Sequence, residues 1–135
     1  MLIVDDDAPV VTFLADIGES CGYEIMSANT GDGLLDRVLE TGPDVIVLDL
    51  VMPDFDGIEV LREFSTHDIQ SRILLISGFD PALLDGSQML ARAWKLNVTG
   101  TMQKPLDPDA VRECLMEGAR APLIQTKWKS DKAES

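Results

Sequence analysis

Basic residues are scarce in this chain: 11 Lys and Arg stand against 24 Asp and Glu, a formal net charge of −13. That balance repels a phosphate backbone and anionic lipid alike, which argues against direct binding of nucleic acid or of a membrane surface. Histidine is reduced to one residue, His67. It lies in a polar stretch where a surface position is expected, and it has no second histidine to support a phosphohistidine-carrier role. The two cysteines, Cys21 and Cys114, fall on expected helix segments without CxxC or metal-ligand spacing, so buried free thiols are expected rather than a disulfide or zinc site. No apolar run approaches the ~20 residues that cross a bilayer. The chain also opens on a strand-like run with no charged-then-apolar leader, so a soluble, cytoplasmic protein is expected.

What is present is enough for one folded domain: 135 residues, 45% of them apolar. Strand-like runs occur at Leu2–Val4, Tyr23–Ser27, Asp44–Asp49, Arg72–Ser77 and Thr99–Gln103, and helical patterns fill the intervals. Asp7 stands where it can cap a first helix, with Pro9 in its first turn and Val10, Phe13, Leu14, Ile17 and Cys21 at helical spacing. A second helix is expected over Gly31–Leu39, stopped by Thr41-Gly42-Pro43, and a short third one carries Ile58, Leu61 and Phe64. Asp80-Pro81 and Asp107-Pro108 are cap-then-proline starts for a fourth helix through Trp94 and a fifth through about Leu115. The inner strands lack polar alternation, as strands covered on both faces do. The expected class is therefore α/β: a doubly wound (βα)5 sandwich on a five-stranded parallel sheet of order 2-1-3-4-5. Residues 1–120 form the expected domain. Residues 121–135, polar and carrying Lys127, Trp128, Lys129 and Lys132, read as a C-terminal tail or linker remnant.

Chemistry gathers at the strand ends. Asp5-Asp6-Asp7 closes the first strand, Asp49 the third, Ser77 the fourth, and Lys104 follows the fifth. In an open parallel sheet, ligands collect at the carboxyl ends of strands, where neighbouring connections leave toward opposite faces. With strands ~4.8 Å apart, Asp5 and Asp6 face Asp49 across one strand boundary, and the four-carbon side chain of Lys104 is long enough to turn its charge inward. Carboxylates packed this closely repel, and a hard divalent cation relieves the strain. Oxygen-only ligands favour Mg²⁺ (or Mn²⁺) over zinc. Asp49 can then act as a nucleophile toward phosphorus, with Lys104 neutralising charge and Ser77 donating a hydrogen bond, while Gly78 leaves room for the phosphoryl group.

Four motifs carry a resemblance: Ile3-Val4-Asp5-Asp6; Val47-Leu48-Asp49-Leu50-Val51-Met52-Pro53-Asp54-Phe55-Asp56-Gly57; Ile76-Ser77-Gly78; and Lys104-Pro105. Over Met1 to Ala119 the chain resembles the receiver domain of a two-component response regulator, related to the chemotaxis regulators, which implies a flavodoxin-like fold. The resemblance implies that Asp49 takes a phosphoryl group from a sensor histidine kinase or phosphotransfer protein. It implies that Asp6, Asp49 and the Val51 carbonyl bind Mg²⁺ directly, with Asp5 acting largely through water. Lys104 would pair with the acyl phosphate, the Lys104-Pro105 bond would be cis, and Gly57 would relieve the backbone before the third helix. The protein would then be no enzyme beyond its own phosphorylation and dephosphorylation. Its output would pass through the fourth helix, fifth strand and fifth helix to a downstream protein or a fused output domain, a face that also serves for homodimers. Three positions depart from the family pattern: Thr101 replaces the usual aromatic three before the lysine, and Val51 and Phe79 are apolar where the hydrolytic water is often admitted. Slow self-dephosphorylation is expected.

Two other functions fit parts of the sequence. A haloacid-dehalogenase-type phosphatase would use Asp5-Asp6-Asp7 as its D-x-D, with Asp5 as nucleophile and Ser77 and Lys104 in the right order, but it leaves Asp49-Leu50-Val51-Met52-Pro53 without a role. A receiver-like module whose contacts ignore phosphate is suggested by Thr101, and the intact acid cluster argues against it.

Overall fold

The structure, a computed structural model, describes residues 1–53, 55–78 and 80–120. Phe79 and the expected tail, 121–135, lie outside them. Among the described residues, β1 (Leu2–Val4), β2 (Met26–Ala28), β3 (Val45–Asp49), β6 (Arg72–Ser77) and β7 (Asn97–Gln103) form one parallel sheet in the order β2-β1-β3-β6-β7. Numbered within that sheet alone, this is the expected 2-1-3-4-5. Five helices alternate with these strands: α1 (Ala8–Ser20), α2 (Leu34–Thr41), α3 (Gly57–Thr66), α4 (Pro81–Ala93) and α5 (Pro108–Arg120).

Side-chain alternation along the strands sorts the core into two halves. Leu2, Val4, Ile46, Leu48, Ile73 and Leu75 pack under α2, α3 and α4, against Val38, Phe64 and Leu84. Ile3, Val45, Val47, Leu74 and Ile76 turn to the opposite face, where Leu14 and Ile17 of α1 and Val111 and Leu115 of α5 cover them. Each face is apolar, so β1, β3 and β6 read as continuous hydrophobic runs. Phe64 is fully buried, and Phe64→Ala is expected to cost about 3–5 kcal/mol of unfolding free energy, measured by urea denaturation.

The departures from expectation have local causes. The second strand is Met26–Ala28 rather than Tyr23–Ser27, because β1 offers only three residues to pair with. Tyr23 is instead drawn away, its hydroxyl donating to the Leu115 carbonyl of α5 at 2.8 Å. The second helix begins at Leu34, after Gly33 at φ 68°, and ends at Gly42, φ 52°, as the Gly-Pro signal predicts. The last strand starts two residues early, at Asn97, and a bulge opposite Ile73/Leu74 absorbs the extra residue. The fourth helix stops at Ala93, with Trp94 as its C-cap packed on the core, and the fifth runs on to Arg120. Asp80 caps α4 through Ala82 N, but Asp7 at the start of α1 makes no side-chain capping bond. Its amide instead donates to Asp5 Oδ1 at 2.9 Å. The cysteines are free and half-buried, and His67 is exposed at the end of α3. No helix among the described residues is long and apolar enough to cross a membrane.

One feature had no sequence signal: a two-stranded antiparallel hairpin, β4 (Val51–Met52) with β5 (Phe55–Asp56), between β3 and α3. It occupies the stretch directly after Asp49.

Candidate functional site

The site residues stand where the sheet's hydrogen-bond ladder runs out. Asp5 N donates to Ala28 O at 3.1 Å, Leu50 N to Ile76 O at 3.0 Å, and Lys104 N to Ser77 O at 2.8 Å. The ladder thus fixes the backbone of each strand tip while the side chains are left for chemistry. Ser77 ends β6 fully buried, and the Lys104-Pro105 bond that follows β7 is cis.

Asp5, Asp6 and Asp49 offer carboxylate oxygens all within 4.8 Å of one another, with Asp5 and Asp49 buried and Asp6 exposed. Lys104 spans the gap from β7: its Nζ lies 2.9 Å from Asp5 Oδ2 and 3.2 Å from Asp49 Oδ2. The other Asp49 oxygen accepts from Val51 N at 3.0 Å. A cleft of about 460 Å³, bordered by Asp5, Asp6, Thr12, Asn29 and Thr30, opens beside the acids.

One ammonium does not balance three carboxylates. Burial raises the Asp49 carboxyl above the ordinary carboxylate range; the Val51 amide opposes this, the Asp5 charge adds to it, and Lys104 opposes it, with the net shift upward. For Lys104, burial works against the charged form, but the two carboxylates outweigh it and its pKa rises. Buried Asp5 Oδ2 takes the charge of Lys104 without a well-directed hydrogen bond. A shortage of positive charge, an all-oxygen donor set and an under-satisfied buried oxygen together fit a hard divalent cation such as Mg²⁺.

These observations fix a sign for pH. A carboxyl whose folded pKa is raised stabilises the fold below its unfolded value, and that contribution is lost as pH rises through the folded value. In chelator, Asp49→Asn is therefore expected to unfold at a higher temperature than the unaltered protein at neutral pH. The advantage should shrink as pH falls toward the ordinary carboxylate range, as followed by circular dichroism.

The structure also changes one sequence-based reading. Gly57 has no left-handed backbone to relieve: a Cβ there would lie 2.9 Å from Leu50 Cα, so its smallness serves close approach to the residue after Asp49. A Cβ on Gly78 would meet Lys104 Cδ at 3.6 Å, which makes Gly78 a neighbour of the lysine stem. Thr101 is half-buried. Val98 packs into the α4 side of the core, and a Cβ on Gly100 would face Cys114 of α5, so past the bulge Thr101 falls on the side of α4. The clamp on the hairpin, Phe55 against Gly31, was missed altogether, since the contact joins β5 to the β2–α2 loop across 24 positions in a way no local pattern encodes.

Comparison with known proteins agrees with this geometry. Residues 1–116 match the family model of the response regulator receiver domain. Sporulation initiation phosphotransferase F of Bacillus subtilis is 30% identical over 85% of this chain and 89% of its own length. The chemotaxis protein CheY of Thermotoga maritima is 32% identical over 85% of this chain and 92% of its own. The alkaline phosphatase synthesis transcriptional regulatory protein PhoP of B. subtilis is 28% identical over 99% of this chain, which spans only 55% of that regulator. Among solved structures, a response regulator from Colwellia psychrerythraea superposes with a TM-score of 0.76 at 34% identity, covering 89% of this chain and 96% of that one. Motifs, sheet order, site geometry and relatives converge: this chain belongs to the response regulator receiver domain family.

Proposed function

We propose that Asp49 is the phosphoacceptor of a two-component signalling system and takes a phosphoryl group from the phosphohistidine of a sensor histidine kinase or phosphotransfer protein. The observation that carries this reading is the reach of Lys104 across the sheet to both Asp5 and Asp49. An ammonium held there is placed to neutralise a phosphoryl group arriving at Asp49. In the step, an Asp49 carboxylate oxygen attacks phosphorus, the N–P bond breaks, and the imidazole leaves with its electron pair. Lys104 balances the charge of the transferred group, and the Ser77 hydroxyl donates a hydrogen bond to it. Asp6, Asp49 and the Val51 carbonyl would hold Mg²⁺ (or Mn²⁺), with Asp5 behind them, and the bound ion would supply positive charge for the phosphoryl oxygens. Incubation with a small phosphodonor and Mg²⁺ should add one phosphoryl to the intact mass, and chelator should prevent it. No gain with Mg²⁺ present contradicts the reading.

The receiver unit is taken as 1–120, followed by a tail, acting in the cytoplasm and without enzymatic activity toward other molecules. Its output is assigned to α4, β7 and α5, where Met89 (73% exposed), Leu90 and Met116 offer apolar contacts to a downstream protein, a fused output domain or a second copy. Thr101 on the α4 side favours a readout without aromatic rotation, and keeps a phosphate-independent contact role as the second reading. Val51 is exposed and apolar at its place beside the acids, where it hinders an attacking water. The phosphoryl half-life is therefore expected to exceed that of a Val51→Asn, Phe79→Glu variant, in which polar side chains can position the attacking water. Decay of the phosphorylated mass measures it, and equal half-lives contradict it.

A further inference from the structure

The stretch that follows Asp49 is held at both ends by glycines. At its base lies the approach of Gly57 to Leu50 already described. At the hairpin, a Cβ on Gly31 would lie 2.5 Å from Phe55 Cδ1 and 2.9 Å from Phe55 Cε1, closer than real Cβ atoms come. The ring therefore sits directly on the Gly31 backbone. Gly31 is not among the positive-φ glycines, so its missing side chain makes way for the ring and not for a turn.

Phe55 belongs to β5 and pairs with Met52, while its neighbour Asp56 pairs with Val51. The ring thus joins the β2–α2 loop to the hairpin that carries Val51. A ladder of two residue pairs is marginal on its own. Met52 of β4 is buried in the core and Phe55 packs against that core as well as on Gly31, while the bond from Val51 N to Asp49 Oδ1 and the capping of α3 by Asp56 add polar ties; Val51 itself is exposed and is held through its neighbours. A backbone carbonyl has no rotamers with which to correct its aim, so its position is only as good as the segment that holds it. Mg²⁺ demands near-ideal octahedral geometry and punishes small errors in that position.

We propose that Phe55, seated on Gly31, is a positioning residue that holds the Val51 carbonyl in place for the metal; this rests on the reading of the acid cluster as a Mg²⁺ site. Contacts that orient ligands from outside typically govern metal affinity by roughly 10–100-fold. Calorimetric titration of the full chain with Mg²⁺, without phosphodonor, tests it on the unaltered protein, Phe55→Ala, Gly31→Ala, the double variant and Phe55→Leu, with unfolding in chelator recorded separately. The expected result is about tenfold weaker binding in each alanine variant, no further loss when the two are combined, and substantial recovery in Phe55→Leu. Unchanged affinity in both single variants, or losses that add in the double variant, overturns the proposal while leaving the metal site intact. Should Phe55→Ala fail to fold, Gly31→Ala and Phe55→Leu carry the same test. Absence of Mg²⁺ binding by the unaltered protein overturns the metal site itself, a failure recognised without any variant.

Discussion

Asp49→Asn is expected to abolish phosphoryl labelling entirely, whereas Asp5→Asn should slow it and leave it measurable. The difference follows from where the two carboxylates stand. Asp49 closes the central strand β3, with one oxygen tied to the Val51 amide and the other facing Lys104. An amide at that position has the same shape but a much weaker nucleophile, so no covalent product forms. Asp5 is nearly as buried, but it is oriented toward Lys104 and the Asp7 amide. Its replacement removes charge that holds the lysine and supports the cation, an effect on the order of 10²–10³ in rate for one preorganised electrostatic partner. Phosphoryl incorporation timed by intact mass separates the two outcomes. The reverse ranking, with Asp5→Asn inert and Asp49→Asn labelled, would mark a phosphatase of the D-x-D kind.

Lys104→Met should produce the second large effect, and on two readouts at once. Without the ammonium, Asp5 and Asp49 face each other, 1% and 2% exposed, with no counter-charge. Breaking a buried pair in this way costs about 3–5 kcal/mol; the lower end is expected here because the lysine side chain keeps 19% exposure and water reaches its head. Urea denaturation in chelator measures that loss. Added Mg²⁺ should recover part of it, since a second source of positive charge enters the same cluster. Labelling should still fall by about 10²-fold, because stability can be restored by any cation while charge at the phosphoryl oxygens requires the lysine in place. Full stability of Lys104→Met in chelator would contradict the charge account.

The sheet was legible because its signals are redundant. Each inner strand is an unbroken apolar run ended by a polar residue, so Leu2–Val4, Val45–Asp49 and Arg72–Ser77 stand within a residue of expectation. Edge strands carry weaker signals: β2 is half-buried, and its extent is set by the three residues of β1 that it meets. Asp5, Asp49 and Lys104 could be brought together on paper because strand order and side-chain length suffice for that. The hairpin after Asp49 could not be foreseen, since Val51–Asp56 has neither a turn dipeptide of the usual kind nor a run long enough to read as strand. The reason for Gly57 was likewise hidden: a glycine can serve backbone conformation or close approach, and only the neighbour at Leu50 distinguishes them.

The most direct test of the central claim is to locate the transferred group. Acyl phosphates are reduced by borohydride where phosphate esters of serine are not, so the labelled protein, reduced, digested and fragmented by mass spectrometry, reports the modified residue. The account predicts reduction at Asp49 alone. Reduction at Asp5, or a label that resists borohydride and maps to Ser77, would contradict it.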